Sequence, residues 1–295
     1  MQTRSRAAAT TALLLTASVT GLAAASGTAQ ATTAATRTHT AARAAAAPVV
    51  TIKANKGSLK LSSDKIKPGK TMFKVVRGTA NGSIQLLRLK SGYTIADLAA
   101  DIGPLMAGDV PTVQRVDANV VFYGGIPIPA PGARPNMWGT DIDKAGTYYV
   151  INLKRSTLAT IKAKGAHQTR SLPSADGKLG MKGSMTFNAP ASNPHRGWMK
   201  TTNNAIQPHF VNLSQVKKST TDADVQAWLA APSGPPTFFK PGGGEADTEV
   251  VSPGHTIVWK YHVPRGKYLS LCFYPDKDTG VPHAFMGMYA LMNMK

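Results

Sequence analysis

The chain has 295 residues, with 34 Lys and Arg against 15 Asp and Glu and a formal net charge of +19. A single cysteine excludes any internal disulfide, and 27 Gly with 20 Pro, without long 3.6-residue periodicity, exclude a helical bundle. The length suffices for one large or two ordinary hydrophobic cores.

Arg4 and Arg6 precede the apolar run "ALLLTASVTGLAAA", and Ala29-Gln30-Ala31 closes it with small residues. That order predicts a signal peptide over 1–31, hence a secreted protein, extracellular or associated with the cell wall. No other run approaches the roughly 18 apolar residues of a membrane span, so no transmembrane segment is expected. Residues 32–50, "TTAATRTHTAARAAAAPVV" after Ala31, contain no acid and almost no large apolar side chain, and read as a disordered Ala/Thr-rich tether. Beyond it, short alternating runs such as "TMFKVV", "TYYVINL", "HTIVWKYHV" and "KYLSLCFY" predict β-strands. "TIADLAADI" and "TDADVQAWLAA" each predict one short helix.

These elements recur in the same order. "QLLRL" (85–89), Thr94 to Leu98, "FYGG" (122–125) and "AGTYYVINL" (145–153) are followed by "HFVNL" (209–213), Thr221 to Val225, "FFKPGGG" (238–244) and "RGKYLSLCF" (265–273). The expectation is all-β: two tandem Greek-key β-sandwich domains over 51–165 and 181–295, joined by a linker over 166–180, each with one short helix. Setting Leu89 against Leu213 places Gln85 opposite His209, and setting Gly146 against Gly266 places Asn152 opposite Cys272. Histidine and cysteine thus occur in one copy only, which argues for chemistry confined to the second domain.

An unpaired cysteine in an exported protein is buried, reactive or coordinated. Cys272 opens "CFYPDKDTGVPHAFMGM", which also contains His283, Met286 and Met288. An early histidine, with Cys, His and Met gathered near the end of a β-sandwich, resembles the cupredoxins, the blue-copper fold, and more narrowly the secreted bacterial cupredoxin-like proteins with a "PD...G-x-PHA...GM" tail. The resemblance covers both halves as scaffold and the ligand pattern in the second alone. It implies copper as cofactor, held by His209, Cys272, His283 and Met288, with Met286 as a substitute for the last. Two imidazoles, a thiolate and a weak thioether are the donor set of copper electron transfer. The family leaves two to four residues between the cysteine and the downstream histidine. Here there are ten, so the loop has to bend back, and Pro275, Gly280 and Pro282 supply the turn chemistry.

Competing readings of the same residues are weaker. "DKDTG" (276–280) opens like a calcium loop but has Gly287 where a bidentate Glu belongs. No oxyanion nest adjoins Cys272, which disfavours a Cys–His nucleophile. "PGGGEAD" lacks the strand, helix and Lys of a phosphate loop. No catalytic residue and no enzyme activity are expected, because tandem cupredoxin-type oxidases need H-x-H pairs and the sequence has none.

Between Lys53 and Lys90 there are ten Lys or Arg and one acid, Asp64. Such a surface either maintains solubility or attracts an anionic cell-wall polymer, acidic lipid or acidic partner. Nucleic acid is disfavoured by location and by the lack of a basic helix. Two functions follow as expectations: copper binding or electron transfer with a redox partner through the second domain, or a metal-free tandem module that binds an extracellular partner or anionic polymer.

Overall fold

A computed structural model describes residues 45–183, 185–231, 234 and 236–295. The expected signal peptide and residues 32–44 of the expected tether lie outside the described residues. The first half contains β1 (Val49–Asn55), β2 (Ser58–Leu61), β3 (Lys65–Ile66), β4 (Gly69–Arg77), β5 (Ser83–Leu89), α1 (Ile95–Met106), α2 (Val110–Asn119), β6 (Val120–Pro127), β7 (Asn136–Ile142), β8 (Gly146–Asn152) and β9 (Thr157–Ala163). The second contains β10 (Gly177–Lys182), β11 (Thr186–Asn188), β12 (Ser192–Asn193), β13 (Arg196–Asn204), β14 (Asn212–Gln215), α3 (Asp222–Ala230), β15 (Glu245–Asp247), β16 (Thr256–His262), β17 (Gly266–Leu271) and β18 (Tyr289–Met294).

Alternation decides which face each strand buries. In β1, Val50, Ile52 and Ala54 face inward while Thr51 and Lys53 do not, and β4 turns Thr71, Phe73 and Val75 inward. Phe73 stacks on Trp138 of β7 with ring centroids 4.8 Å apart. Tyr148 and Tyr268 are wholly buried, and their hydroxyls donate to the carbonyls of Lys144 and Pro264, four residues upstream in both cases. α1 and α3 both start with a capping box, Thr94 with Asp97 and Thr221 with Asp224, in which each side chain satisfies the other residue's backbone N–H.

The all-β expectation of two β-sandwiches in series is what the structure shows. In the first half, strands β2-β1-β4-β7 face the sheet β3-β9-β8-β5-β6; in the second, β11-β10-β13-β16 face β12-β18-β17-β14-β15. The halves share one feature that separate domains would not. β7 pairs with β16, Trp138 opposite Trp259, so the two front sheets fuse into one eight-stranded sheet. The described residues from 45 to 295 form one compact unit.

Four details differ from the sequence reading. The first half has two helices where one was expected, because Gly108 adopts φ +75° to end α1 and Asp109 caps a new helix with Pro111 in its first turn. β1 begins at Val49, inside the range read as tether, because Ala47 and Met72 bond to Ser171 and Pro48 and pin the chain to the sheet. β10 begins at Gly177, inside the range read as linker. The register of the early strand is displaced by three residues. β5 meets β8 with Gln85 opposite Ile151, and β14 meets β17 with Asn212 opposite Leu271. Asn212 therefore corresponds to Gln85, and Gly82 is the residue in the place of His209. Asn152 keeps its place opposite Cys272, and a side chain on Gly82 would meet the Asn152 amide oxygen at 2.8 Å.

Candidate metal centre

Each donor is delivered by a different constraint. His209 lies just before β14, and its backbone exchanges both hydrogen bonds with Val251, whose neighbours Val250 and Ser252 bond to Gly124 and Phe122 of β6. Gln85 adds to that seam, donating to the Gly124 and Val250 carbonyls and accepting from the Val250 N–H. Its buried amide is a structural tie between the halves. Cys272 immediately follows β17. Where the first half joins β8 to β9 through a single short turn at Leu153–Arg155, the second half inserts a long loop between β17 and β18, so His283 and Met288 have no counterpart in the first half.

The ten-residue gap closes as a hairpin. His283 N–H donates to the Tyr274 carbonyl at 2.9 Å, Ala284 N–H donates to the Cys272 carbonyl at 2.6 Å, and Pro275 bridges Pro282. Asp276 holds the tip. One carboxylate oxygen accepts from the Asp278 and Thr279 N–H groups and the Thr279 hydroxyl, and the other accepts from the Gln207 amide. With these partners the carboxylate is spent on the turn, which accounts for "DKDTG" without calcium.

The tip docks on the first half. Gly280 and Gly108, at the turn between α1 and α2, touch backbone to backbone; Gln114 donates to the Lys277 carbonyl at 3.0 Å; the Tyr274 hydroxyl donates to Asp117 at 2.5 Å. Burial pushes the Asp117 carboxyl up to about 6, opposed by the Tyr274 hydrogen bond. Gly280→Ala would drive a methyl group into the Gly108 carbonyl at a residue with φ +72°. The expected cost is about 1–3 kcal/mol, read as a lower urea midpoint with unchanged slope.

Cys272, His209 and His283 are brought together. The Cys272 Sγ lies 3.6 Å from His209 Nδ1 and 3.7 Å from His283 Nδ1, and one donor atom from each falls within 4.8 Å of the others. All three are fully buried. Met288 is buried as well, and its N–H donates to the His283 carbonyl. Met286 is 42% exposed, with its sulfur near the Thr279 hydroxyl. Of the two methionines, the structure buries Met288 and turns Met286 outward.

Burial dominates the electrostatics. It pulls His209 down to about 3, helped by His283, and pulls His283 down to about 4 against the opposing effect of Asp276. The Cys272 thiol is pushed up to about 12, opposed by hydrogen bonds from the Phe210 and Tyr274 backbone N–H groups. At neutral pH the apo trio is therefore uncharged. Both imidazoles present Nδ1 to the same sulfur, where one can accept the thiol proton and the other can donate its own N–H. Both Nε2 atoms are buried without a hydrogen-bond partner among the described residues. The two Nδ1 atoms and Sγ form a donor set that fits copper, and a cation held there would fix the ring protons on the unpartnered Nε2 atoms. Neither imidazole has a carboxylate or carbonyl to accept from Nε2 among the described residues, a departure from the usual metal site.

No family model matches the chain, and no curated protein matches it. Solved structures do. Auracyanin from Roseiflexus castenholzii is 20% identical over 42% of this chain and 99% of its own, with a TM-score of 0.27. A multicopper oxidase from Pediococcus acidilactici is 10% identical over 85% of this chain and 59% of its own, TM-score 0.24. The copper nitrite reductase of Nitrosomonas europaea is 10% identical over 85% of this chain and 94% of its own, TM-score 0.24. Likenesses this distant assign no function to this chain, and the case for metal rests on the donor atoms. They do correct one expectation. The exclusion of enzyme activity does not stand, since copper enzymes are among the neighbours that span both halves. The absence of an H-x-H pair speaks against a trinuclear cluster alone.

Proposed function

We propose that the second half binds one copper ion, which His209, Cys272 and His283 would hold with Met288 as a further, weak thioether donor, and that the protein serves copper holding or one-electron transfer. The observation that carries this reading is the convergence of two imidazole Nδ1 atoms on one buried sulfur. Copper supplies a one-electron couple there. The chain's own contribution is a dry, preshaped site, two backbone N–H groups aimed at the sulfur, and a loop fixed to the first half. The N-terminal signal reading makes the protein a secreted one, whose redox partner is met outside the cytoplasm.

The thiol must lose its proton when metal binds, whereas both imidazoles are already neutral. Calorimetric titration with copper(II) at pH 7 in two buffers of different ionisation enthalpy is therefore expected to report one ion bound and one proton released per chain. Binding without proton release, or release that persists in Cys272→Ala, contradicts the reading.

A further inference from the structure

We infer that the outer face of the fused eight-stranded sheet is a docking surface for a flexible, linear polyanion with repeating phosphates, of the kind found in cell-wall polymers. Strand alternation and register decide which side chains share this face. From the first half it receives Lys53, Lys60, Lys70 and Lys74: Lys53 lies opposite Lys60 between β1 and β2, and Lys74 lies opposite the outward Met137 of β7. From the second half it receives Lys178, Lys182, Arg196, Lys200 and Lys260. Lys178 is opposite Lys200, and Lys260 is opposite Trp198, with its ammonium 5.9 Å from the indole. All but the half-buried Lys74 are exposed, and none forms an ion pair with an acid among the described residues.

The acids at this face are engaged. Asp141 pairs with His167, and Asp176 accepts the Trp198 N–H. The β7–β16 junction joins two short basic sheets into one surface about 34 Å across eight strands at the usual interstrand spacing. Fusion thus gives the charges a continuous track that neither half has alone.

Topography selects the type of anion. The segment between β9 and β10 lies on the face, with Leu172 packed over Gly139 and Ser171 bonded to Ala45 and Ala47, and it walls a groove of about 1350 Å³ that includes Lys70, Lys200 and Trp198. That ridge prevents the close approach of a flat bilayer or a rigid duplex, whereas a single flexible chain can thread past it. Asp141 and Asp143 also line the groove, so the track follows the Lys53, Lys74, Lys260 and Lys200 side rather than that end.

The surface is distinct from the copper site, and the test needs no metal. Long-chain inorganic polyphosphate is titrated against the purified full-length protein across a salt series. Neutralising Lys53, Lys74, Lys200 and Lys260 to Gln is expected to weaken binding about ten-fold or more and to flatten the log K against log salt slope by about 0.7 per lysine. The control removes the same number of charges, at Lys217, Lys218, Lys240 and Arg265, which line a separate basic pocket. Circular dichroism verifies that both variants are folded, and single Lys→Gln changes replace any that is not. Equal loss in both variants assigns the attraction to net charge and overturns the proposal, as does preference for duplex DNA or anionic vesicles over polyphosphate.

Discussion

Cys272→Ser is expected to remove any intense visible band that copper(II) produces while leaving both sandwiches folded. A charge-transfer band of that kind needs a thiolate bonded to the metal, and Cys272 is the chain's one sulfur able to become a thiolate. The fold should tolerate the change. The thiol is neutral in the apo state, and the corresponding strand end of the first half carries the polar Asn152, fully buried and bonded to the Asn81 carbonyl. The hydroxyl has backbone N–H groups from Phe210 and Tyr274 within its neighbourhood, so the expected cost is about 1–2 kcal/mol. Absorption spectra of the loaded variant, with far-ultraviolet circular dichroism of the apo form, check both parts. A band that survives in the variant excludes thiolate ligation.

The second large effect is on acid stability. His209 and His283 have folded-state values of about 3 and about 4, below the ordinary 6.5. Their unfolded counterparts therefore bind more protons between pH 6.5 and those values, so stability conferred by the two imidazoles is full above pH 6.5 and is lost as pH falls. Asp117 and Asp247 act in the opposite sense. Burial raises both to about 6, so each stabilises the fold more as pH falls from 6 towards 4. The informative quantity is thus a difference. Between pH 7 and pH 4.5 the apo wild type should lose more unfolding free energy than the His209→Asn, His283→Asn double variant, by about 5 kcal/mol for the two imidazoles together. Urea titrations at the two pH values measure it, and equal losses would show that the imidazoles are not buried in the apo protein. Bound copper should blunt the difference, because a ligated nitrogen cannot take a proton.

Much of the site was legible because its donors are chemically rare. One thiol, with a histidine and two methionines downstream in a single stretch, narrows the choice before any fold is known, and Pro275, Gly280 and Pro282 did mark the turn that brings Cys272 to His283. The partner of Gln85 is obscured for an identifiable reason. Leu89 and Leu213 match only as apolar residues, and any apolar strand residue matches another. The capping boxes were the better ruler, because Thr94 and Thr221 have one geometric role and lie 127 positions apart, the offset that the strand pairing of Leu86 and Leu213 also obeys.

The seam between the halves was not legible. Trp138 lies opposite Trp259 there, and nothing local in β7 or β16 marks them as strands that pair across the repeat. The same holds for the contact of Gly108 with Gly280 and of Asp117 with Tyr274, which join residues more than 150 positions apart. Loop closure over such distances leaves no periodic trace, so the dependence of the metal loop on the first half emerges only in three dimensions.

Copper held by sulfur and imidazole in the second half is tested most directly by a copper(II) titration of the purified wild-type protein followed by visible absorption. The expected result is an intense band that grows linearly and stops at one equivalent, is bleached by a mild reductant and returns on reoxidation. A colourless complex, or a weak absorption that rises without saturation past one equivalent, would contradict it.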